Sequence, residues 1–191
     1  MTRIIGGTAG GRKLRTPTGD ATRPTSDRVR EALFSALEAQ VGSLAGLRVL
    51  DLYAGSGAVG LEALSRGAAA LTAVESDRRT AALIASNATD LGFRVDVVAH
   101  PVARALSTSP AAPYDVVFLD PPYPMPAEEV SEALQLLVSG GWLSTGAVVV
   151  VERSARSVEP GWPSGLALGR HKKYGETVLW YLRRANDDPG Q

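Results

Sequence analysis

Between residues 49 and 60 the chain reads Val-Leu-Asp-Leu-Tyr-Ala-Gly-Ser-Gly-Ala-Val-Gly. An apolar run enters a glycine loop, and a helix-forming segment leaves it. Gly55, Gly57 and Gly60 carry the spacing G-x-G-x-x-G, in which a backbone without side chains can approach a nucleotide-like ligand at a helix start. Such a turn belongs to sheets in which strands and helices alternate, and the chain goes on alternating. Strands are expected over 47–52, 71–74, 95–98, 116–119 and 147–151, and helices over 59–65, 78–91 and 126–138. A last strand over 177–182 alternates in polarity and is expected to run antiparallel beside 166–168. Strands this apolar are buried on both faces, which implies a mostly parallel sheet between two layers of helices. Ligands of such sheets bind beyond the carboxyl ends of the strands, here just after Leu52, Val74, Val98 and Leu119.

The first thirty residues differ. They hold seven basic residues against two acidic ones, many Gly and Thr, and few large apolar side chains. Short strands at 3–5 and 12–14 around a glycine turn at 6–11 predict a hairpin, read either as a solvated arm or as a phosphate-binding one. Pro24, Thr25 and Ser26 then signal a helix start, and Val29, Ala32, Leu33, Ala36 and Leu37 form one apolar face ahead of Gly42. The resulting division is 1–24 as a basic hairpin, 25–184 as the main domain, and 185–191 as a polar tail. Because 20 basic residues balance 20 acidic ones, any polyanion site must come from local segregation of charge. The chain has no cysteine and two histidines, which excludes disulfides, thiolate metal sites and a thiol nucleophile; no metal site is expected. No targeting stretch opens the sequence, and no run approaches the ~18 apolar residues of a membrane span. The cytoplasm is the expected compartment.

The glycine loop alone suits a dinucleotide or S-adenosylmethionine. Asp51, four residues before Gly55, shifts the balance. A pyrophosphate there would face a carboxylate and no cation in the loop, whereas a sulfonium and an amino group would be attracted. The N–H groups of Gly55, Ser56 and Gly57 could receive the ligand's carboxylate or ribose, and Glu75, at the end of the next strand, could hold a ribose hydroxyl. Asp51 as a loop brace and Glu75 as a surface acid are the plainer alternatives.

The strand over 116–119 runs into Asp120-Pro121-Pro122-Tyr123. The prolines stiffen the chain and fix the direction of their carbonyls. Asp120 adds an acceptor and Tyr123 a flat ring, which suits a planar base bearing an NH2 group. Such an amine is a weak nucleophile because its lone pair is delocalised. Two acceptors, Asp120 and the Pro121 carbonyl, can draw its nitrogen toward tetrahedral geometry and aim it at a sulfonium methyl. Asp120 and water both stay open as acceptors of the released proton.

Three runs together resemble the RsmD-type 16S ribosomal RNA guanine-N2 methyltransferases: Arg23-Pro-Thr-Ser-Asp-Arg-Val-Arg-Glu-Ala-Leu-Phe, the glycine loop from Asp51 to Gly67, and Asp120-Pro-Pro-Tyr. Arg3-Ile-Ile-Gly-Gly, Gly11-Arg-Lys-Leu and Tyr174-Gly-Glu-Thr are similar too. The resemblance implies a class I S-adenosylmethionine-dependent methyltransferase fold, α/β and Rossmann-like. Its seven-stranded, mostly parallel sheet has an antiparallel last strand, and a short N-terminal β-hairpin precedes it. It implies methylation of guanine 966 in the 16S rRNA of the small ribosomal subunit or its late precursor; a monomer is expected. The cofactor set it implies is Asp51, Tyr53, Ala54, Gly55, Ser56, Gly57, Glu75, Ser76, Val102 and Asp120. Asp120, Pro121, Pro122 and Tyr123 would hold the guanine. Arg3, Arg12, Lys13, Arg15, Arg23, Thr25 and Arg28 would grip RNA. Pro101 stands where relatives carry Asp or Asn for the adenine amine, which leaves that contact to the backbone of Val102 or to His100. Lys172-Lys173-Tyr174 reads equally as a second RNA contact or a solvated turn. Competing readings are an amino-methyltransferase acting on DNA adenine or protein glutamine, and a non-catalytic RNA-binding assembly factor.

Overall fold

The computed structural model describes residues 2–19 and 25–186. Strands β1 (Thr2–Arg3) and β2 (Lys13–Leu14) form an antiparallel hairpin. Helix α1 (Asp27–Val41) begins where the Ser26 hydroxyl accepts the Val29 N–H, and it ends at Gly42. There follow β3 (Arg48–Leu52), α2 (Ala58–Ser65), β4 (Ala70–Val74), α3 (Arg78–Leu91), β5 (Asp96–Val98), α4 (Val102–Leu106), β6 (Tyr114–Leu119), α5 (Ala127–Ser139), β7 (Leu143–Ser154), β8 (Leu166–Tyr174) and β9 (Thr177–Arg184).

Seven strands make one sheet in the order β5-β4-β3-β6-β7-β9-β8. β3 to β7 are parallel, and β9 enters antiparallel between β7 and β8. The order reverses between β3 and β6, and the crevice for a ligand opens there. Period-two alternation sorts the strand residues between two cores. Val49, Val116, Phe118, Val148 and Val150 pack with the hairpin, α1, α2 and α3. Leu50, Leu52, Val117, Leu119, Val149 and Val151 pack with α4 and α5.

The expected elements recur, with three differences. α4 is an additional helix. β7 extends at both ends of the expected 147–151. β8 runs well past 168, although most of it is exposed. The hairpin is also joined to the main core: Ile4, Ala9 and Leu14 are buried with Leu33, Leu37, Leu61 and Ala88. Ile5 and Gly6 donate their N–H groups to the buried Glu62 carboxylate, each at 2.8 Å. Ala9 N–H donates to Ser65 Oγ at 2.9 Å. The segment thus borrows a core from α1, α2 and α3.

Candidate active site

A cavity of about 1000 Å³ lies over the carboxyl ends of β3, β4 and β6. Of the expected cofactor residues, Asp51, Tyr53, Ala54, Gly55, Ser56, Glu75, Ser76, Val102 and Asp120 line it. Gly57 does not. With φ of 81° it caps α2, and a Cβ there would meet Ile84 at 3.0 Å, so its work is to turn the chain against the core. The loop N–H groups are also less free than expected. Gly55 N–H donates to Glu75 Oε2 at 2.9 Å and Gly57 N–H to the Ala54 carbonyl at 2.9 Å. Among the described residues Ser56 N–H has no acceptor, which leaves it as the loop donor for a ligand.

Asp51 combines both roles considered for it. Its Oδ2 accepts the Gly60 N–H at 3.0 Å, which fixes the loop, and it faces the cavity. Burial pushes its pKa up to about 8, opposed by the Gly60 hydrogen bond and reinforced by nearby Glu75. A carboxyl group held in this way ionises more readily beside a cation, which favours a sulfonium or ammonium over a pyrophosphate. Glu75, at the end of β4, also accepts the Asp77 N–H at 3.1 Å, which holds its carboxylate at the rim with lone pairs to spare. At the far end, Val102 N–H opens α4 with no acceptor among the described residues. His100 is not part of this lining; it lines a separate recess with Arg48, Tyr114 and Trp142.

Tyr53 is the one non-glycine residue in the left-handed region among those described, at φ 58°. Such a conformation costs on the order of 1–3 kcal/mol and persists where surroundings enforce it. Burial pushes its phenol pKa up to about 12, with Glu129 adding to the shift and Arg153 opposing it.

Asp120, Pro121, Pro122 and Tyr123 line the same cavity. Asp120 has a pKa well above the usual carboxylate range, first through burial, then through Glu152 and Asp51. Met125 N–H donates to the Pro122 carbonyl at 2.9 Å, and Arg153 Nη1 reaches the same oxygen at 3.5 Å. Arg153 Nη2 donates to the Met125 carbonyl at 2.8 Å. The turn is therefore pinned through Pro122, while the Pro121 carbonyl has no donor among the described residues. Tyr123 stands at the mouth, 44% exposed, as a ring available for stacking.

Glu152 and Arg153, each 3% exposed at the end of β7, were not singled out from the sequence. Glu152 Oε2 accepts the Thr25 hydroxyl at 2.9 Å. Thr25, expected as an RNA contact, is thus in the cleft wall with its hydroxyl given to Glu152. Burial pushes the Glu152 pKa up to about 7. A carboxylate preceding an arginine at a strand end gives no sequence signal of burial.

The expected RNA residues divide. Arg3 pairs with Asp27 at 3.1 Å, Arg15 pairs with Asp90 at 3.0 Å, and Arg12 donates to the Asp90 carbonyl at 2.7 Å. All three hold the hairpin to the domain, though they stay exposed. Lys13 and Arg28 are exposed without ion pairs among the described residues. Arg23 lies outside the described residues, as does Pro24. Arg30, in the same run, is fully buried; its Nη2 bonds the Arg3 carbonyl and pairs with Asp27 at 3.0 Å. Lys172 lies over the Tyr174 ring at 5.4 Å on the exposed β8 edge. Among the described residues no helix is long and apolar enough to cross a membrane.

The sequence pattern of the family described as Conserved hypothetical protein 95 matches residues 2–183. Ribosomal RNA small subunit methyltransferase D of Escherichia coli K12 is 38% identical over 182 residues, covering 95% of this chain and 89% of the relative. The solved structure of yhhF from Escherichia coli is 35% identical, with a TM-score of 0.84, covering 97% of this chain and 98% of that one. SMU.776, solved in complex with SAH, shares the fold at 17% identity and a TM-score of 0.61, covering 82% of this chain and 48% of that one.

Proposed function

Because the chain belongs to the family described as Conserved hypothetical protein 95, the RsmD family, we propose that it is an S-adenosylmethionine-dependent methyltransferase of 16S rRNA acting on the N2 amine of guanine 966 in the small ribosomal subunit. The observation that carries this reading is the convergence of buried Asp51 and half-buried Asp120, both short of positive charge, on one cavity whose mouth bears Tyr123.

The cavity residues fit the cofactor. Asp51 and the Ser56 N–H hold its amino-acid end, Glu75 its ribose, and the Val102 N–H a ring nitrogen of its adenine. Bound there, the cofactor supplies an electrophilic methyl group on a sulfonium. The protein's part is positioning. Asp120 and the Pro121 carbonyl accept the two amine hydrogens of the guanine, which turns the nitrogen lone pair toward the methyl group. Tyr123 stacks on the base, a contact worth roughly 1–3 kcal/mol. Arg153 holds the Pro122 and Met125 carbonyls and so keeps the Pro121 carbonyl at one angle. Lys13, Arg28 and Arg23 contact phosphates around the extruded nucleotide. The same reading carries a monomer working in the cytoplasm, with residues 25–184 as the catalytic unit.

The test is radiolabelled methyl transfer to undermethylated small subunits, naked 16S rRNA and DNA, followed by nucleoside analysis. N2-methylguanosine at one site in the small subunit is the expected product. Label in DNA adenine, or at another position of the guanine, would overturn the reading.

A further inference from the structure

Glu152 stands behind the wall of the cleft. It does not line the cavity, yet its surroundings tie it to a residue that does. Leu119 of β6 and Val151 of β7 are paired in parallel register, and Asp120 and Glu152 are the next residue on each strand line. The two carboxylates therefore leave neighbouring strands toward the same face. Asp51, registered with Phe118, flanks Asp120 from β3. Thr25 Oγ1 donates to Glu152 at 2.9 Å and also interacts with Asp120.

Among the described residues, the positive charge facing this cluster is Arg153. Its Nη groups serve the Pro122 and Met125 carbonyls, and its buried Nε has no partner. The other titratable neighbours add no positive charge: Tyr53 beyond β3, Glu129 of α5 beside it, and Glu75 beyond β4. Three carboxylates removed from water cannot all ionise against one guanidinium, so protons are retained until a cation arrives.

We propose that Glu152 is a positioning residue that shares a proton with Asp120 across the Thr25 hydroxyl while the cleft lacks a cation, and releases it to solvent when the positively charged methyl donor binds. The proposal rests on the cofactor reading above. Only an O–H bond is broken, and the proton passes to bulk water. In the loaded cleft Asp120 is then a full carboxylate, the better acceptor for the amine. Once the methyl group has gone, the remaining thioether has no sulfonium charge, and the pair takes a proton back. The cleft thereby distinguishes donor from spent product by charge.

The experiment is titration calorimetry at pH 7 in two buffers of different ionisation enthalpy, which counts protons released on binding S-adenosylmethionine or S-adenosylhomocysteine. The wild-type protein is expected to release more protons with the sulfonium ligand than with the thioether. Glu152→Gln should still bind both, with the count for the sulfonium ligand cut roughly by half, the remainder coming from Asp51. Thr25→Val removes a hydrogen bond that favours the charged forms, so release should persist with its midpoint moved to higher pH. Equal counts for the two ligands in the wild type, or an unchanged count in Glu152→Gln, would overturn the proposal. Should Glu152→Gln not fold, an unmoved midpoint in Thr25→Val would overturn it instead. Failure of the wild type to bind either ligand would refute the cofactor reading and this proposal with it; binding without a difference in protons refutes this proposal alone.

Discussion

Gly60 shows how closely the loop is fitted around one carboxylate. A Cβ there would lie 2.6 Å from Leu71 Cδ1 and 3.1 Å from Asp51 Oδ2, the atom that accepts the Gly60 N–H. Gly60→Ala must displace Leu71 or Asp51. It is expected to cost about 1–3 kcal/mol of stability, as overpacking does, and to weaken donor binding in parallel. Denaturant unfolding and calorimetry would read the two effects; a variant that loses stability but binds the donor normally would show that Asp51 had not moved. Asp120 is tied to chemistry rather than to folding. Asp120→Ala should lower kcat on small subunits by about 100-fold or more, the scale for removing an electrostatic partner of the transition state, while donor affinity changes far less. Unchanged single-turnover transfer would remove Asp120 from the amine contact. Both aspartates were legible in the sequence because each stands at a strand end beside a distinctive run. Glu152 and Arg153 were not, because the strand before them reads as apolar core and a charged pair after it reads as surface. Only the sheet register shows that Glu152 turns inward next to Asp120, while Arg153 leaves the other face of β7 and is buried against the Pro122 and Met125 carbonyls.

At the scale of elements, the hairpin is the part whose role the sequence described least well. Its charges suggested a free arm, but its backbone is locked onto α2. Glu62, fully buried, accepts from Ile5 and Gly6 and from Arg66 Nε at 2.9 Å. Gly7, at φ 75°, passes so close to Ser65 that a Cβ would sit 1.9 Å from its carbonyl oxygen. Glu62→Ala would leave two backbone donors unpaired, at a cost of about 1–3 kcal/mol each, and would leave half-buried Arg66 with Glu38 alone, at 3.6 Å. Amide exchange over residues 2–14 should then rise well beyond that of the sheet; equal protection would mean that the apolar contacts of Ile4 and Leu14 hold the hairpin alone. Its docking also changes which cations are expected to grip RNA. Among the described residues of that set, Lys13 and Arg28 have no ion pair, so replacing both by alanine should reduce the salt dependence of RNA binding by about 0.7–0.9 per lost phosphate contact. Arg12 and Arg15 should act on stability as much as on binding. Repeating apolar runs made the central strands and long helices readable. α4 has only five residues, and the outer part of β8 carries Arg170, His171, Lys172 and Lys173 in place of an alternating pattern. β8 is a strand because β9 pairs with it and because Tyr181 and Trp180 receive its side chains, at 5.3 Å from Arg170 and 4.7 Å from His171. Those contacts join separate segments, and local periodicity does not register them.

For the molecule as a whole, the cleft sets the fold against its own function. Asp51, with a folded pKa of about 8, and Glu152, at about 7, start from ordinary values of 3.8 and 4.5, and Asp120 is raised as well. Between those limits the folded protein binds more protons than the unfolded chain, so stability falls as pH rises. The contribution is complete below about pH 4, where these groups are protonated in both states, and it is lost by about pH 8. Asp77 acts in the opposite sense. Hydrogen bonds from Thr80 lower its pKa, so its stabilisation disappears only as pH falls below the ordinary carboxylate range, outside this window. The melting temperature of the unliganded protein should therefore decline steadily from pH 5 to pH 8, where a protein whose carboxylates are paired on the surface would change little. Saturating S-adenosylmethionine should raise the curve and flatten it, because the ligand's positive charge supplies what the three carboxylates lack. Asp51→Asn should flatten it without ligand, by removing one of the three carboxyl groups whose pKa is raised. Thermal unfolding across pH, with and without the donor, measures all three. A melting temperature that rises toward pH 8 in the unliganded protein would mean that these carboxylates are ionised and compensated in the folded state, and the electrostatic case for a cationic ligand in this cleft would fail with it.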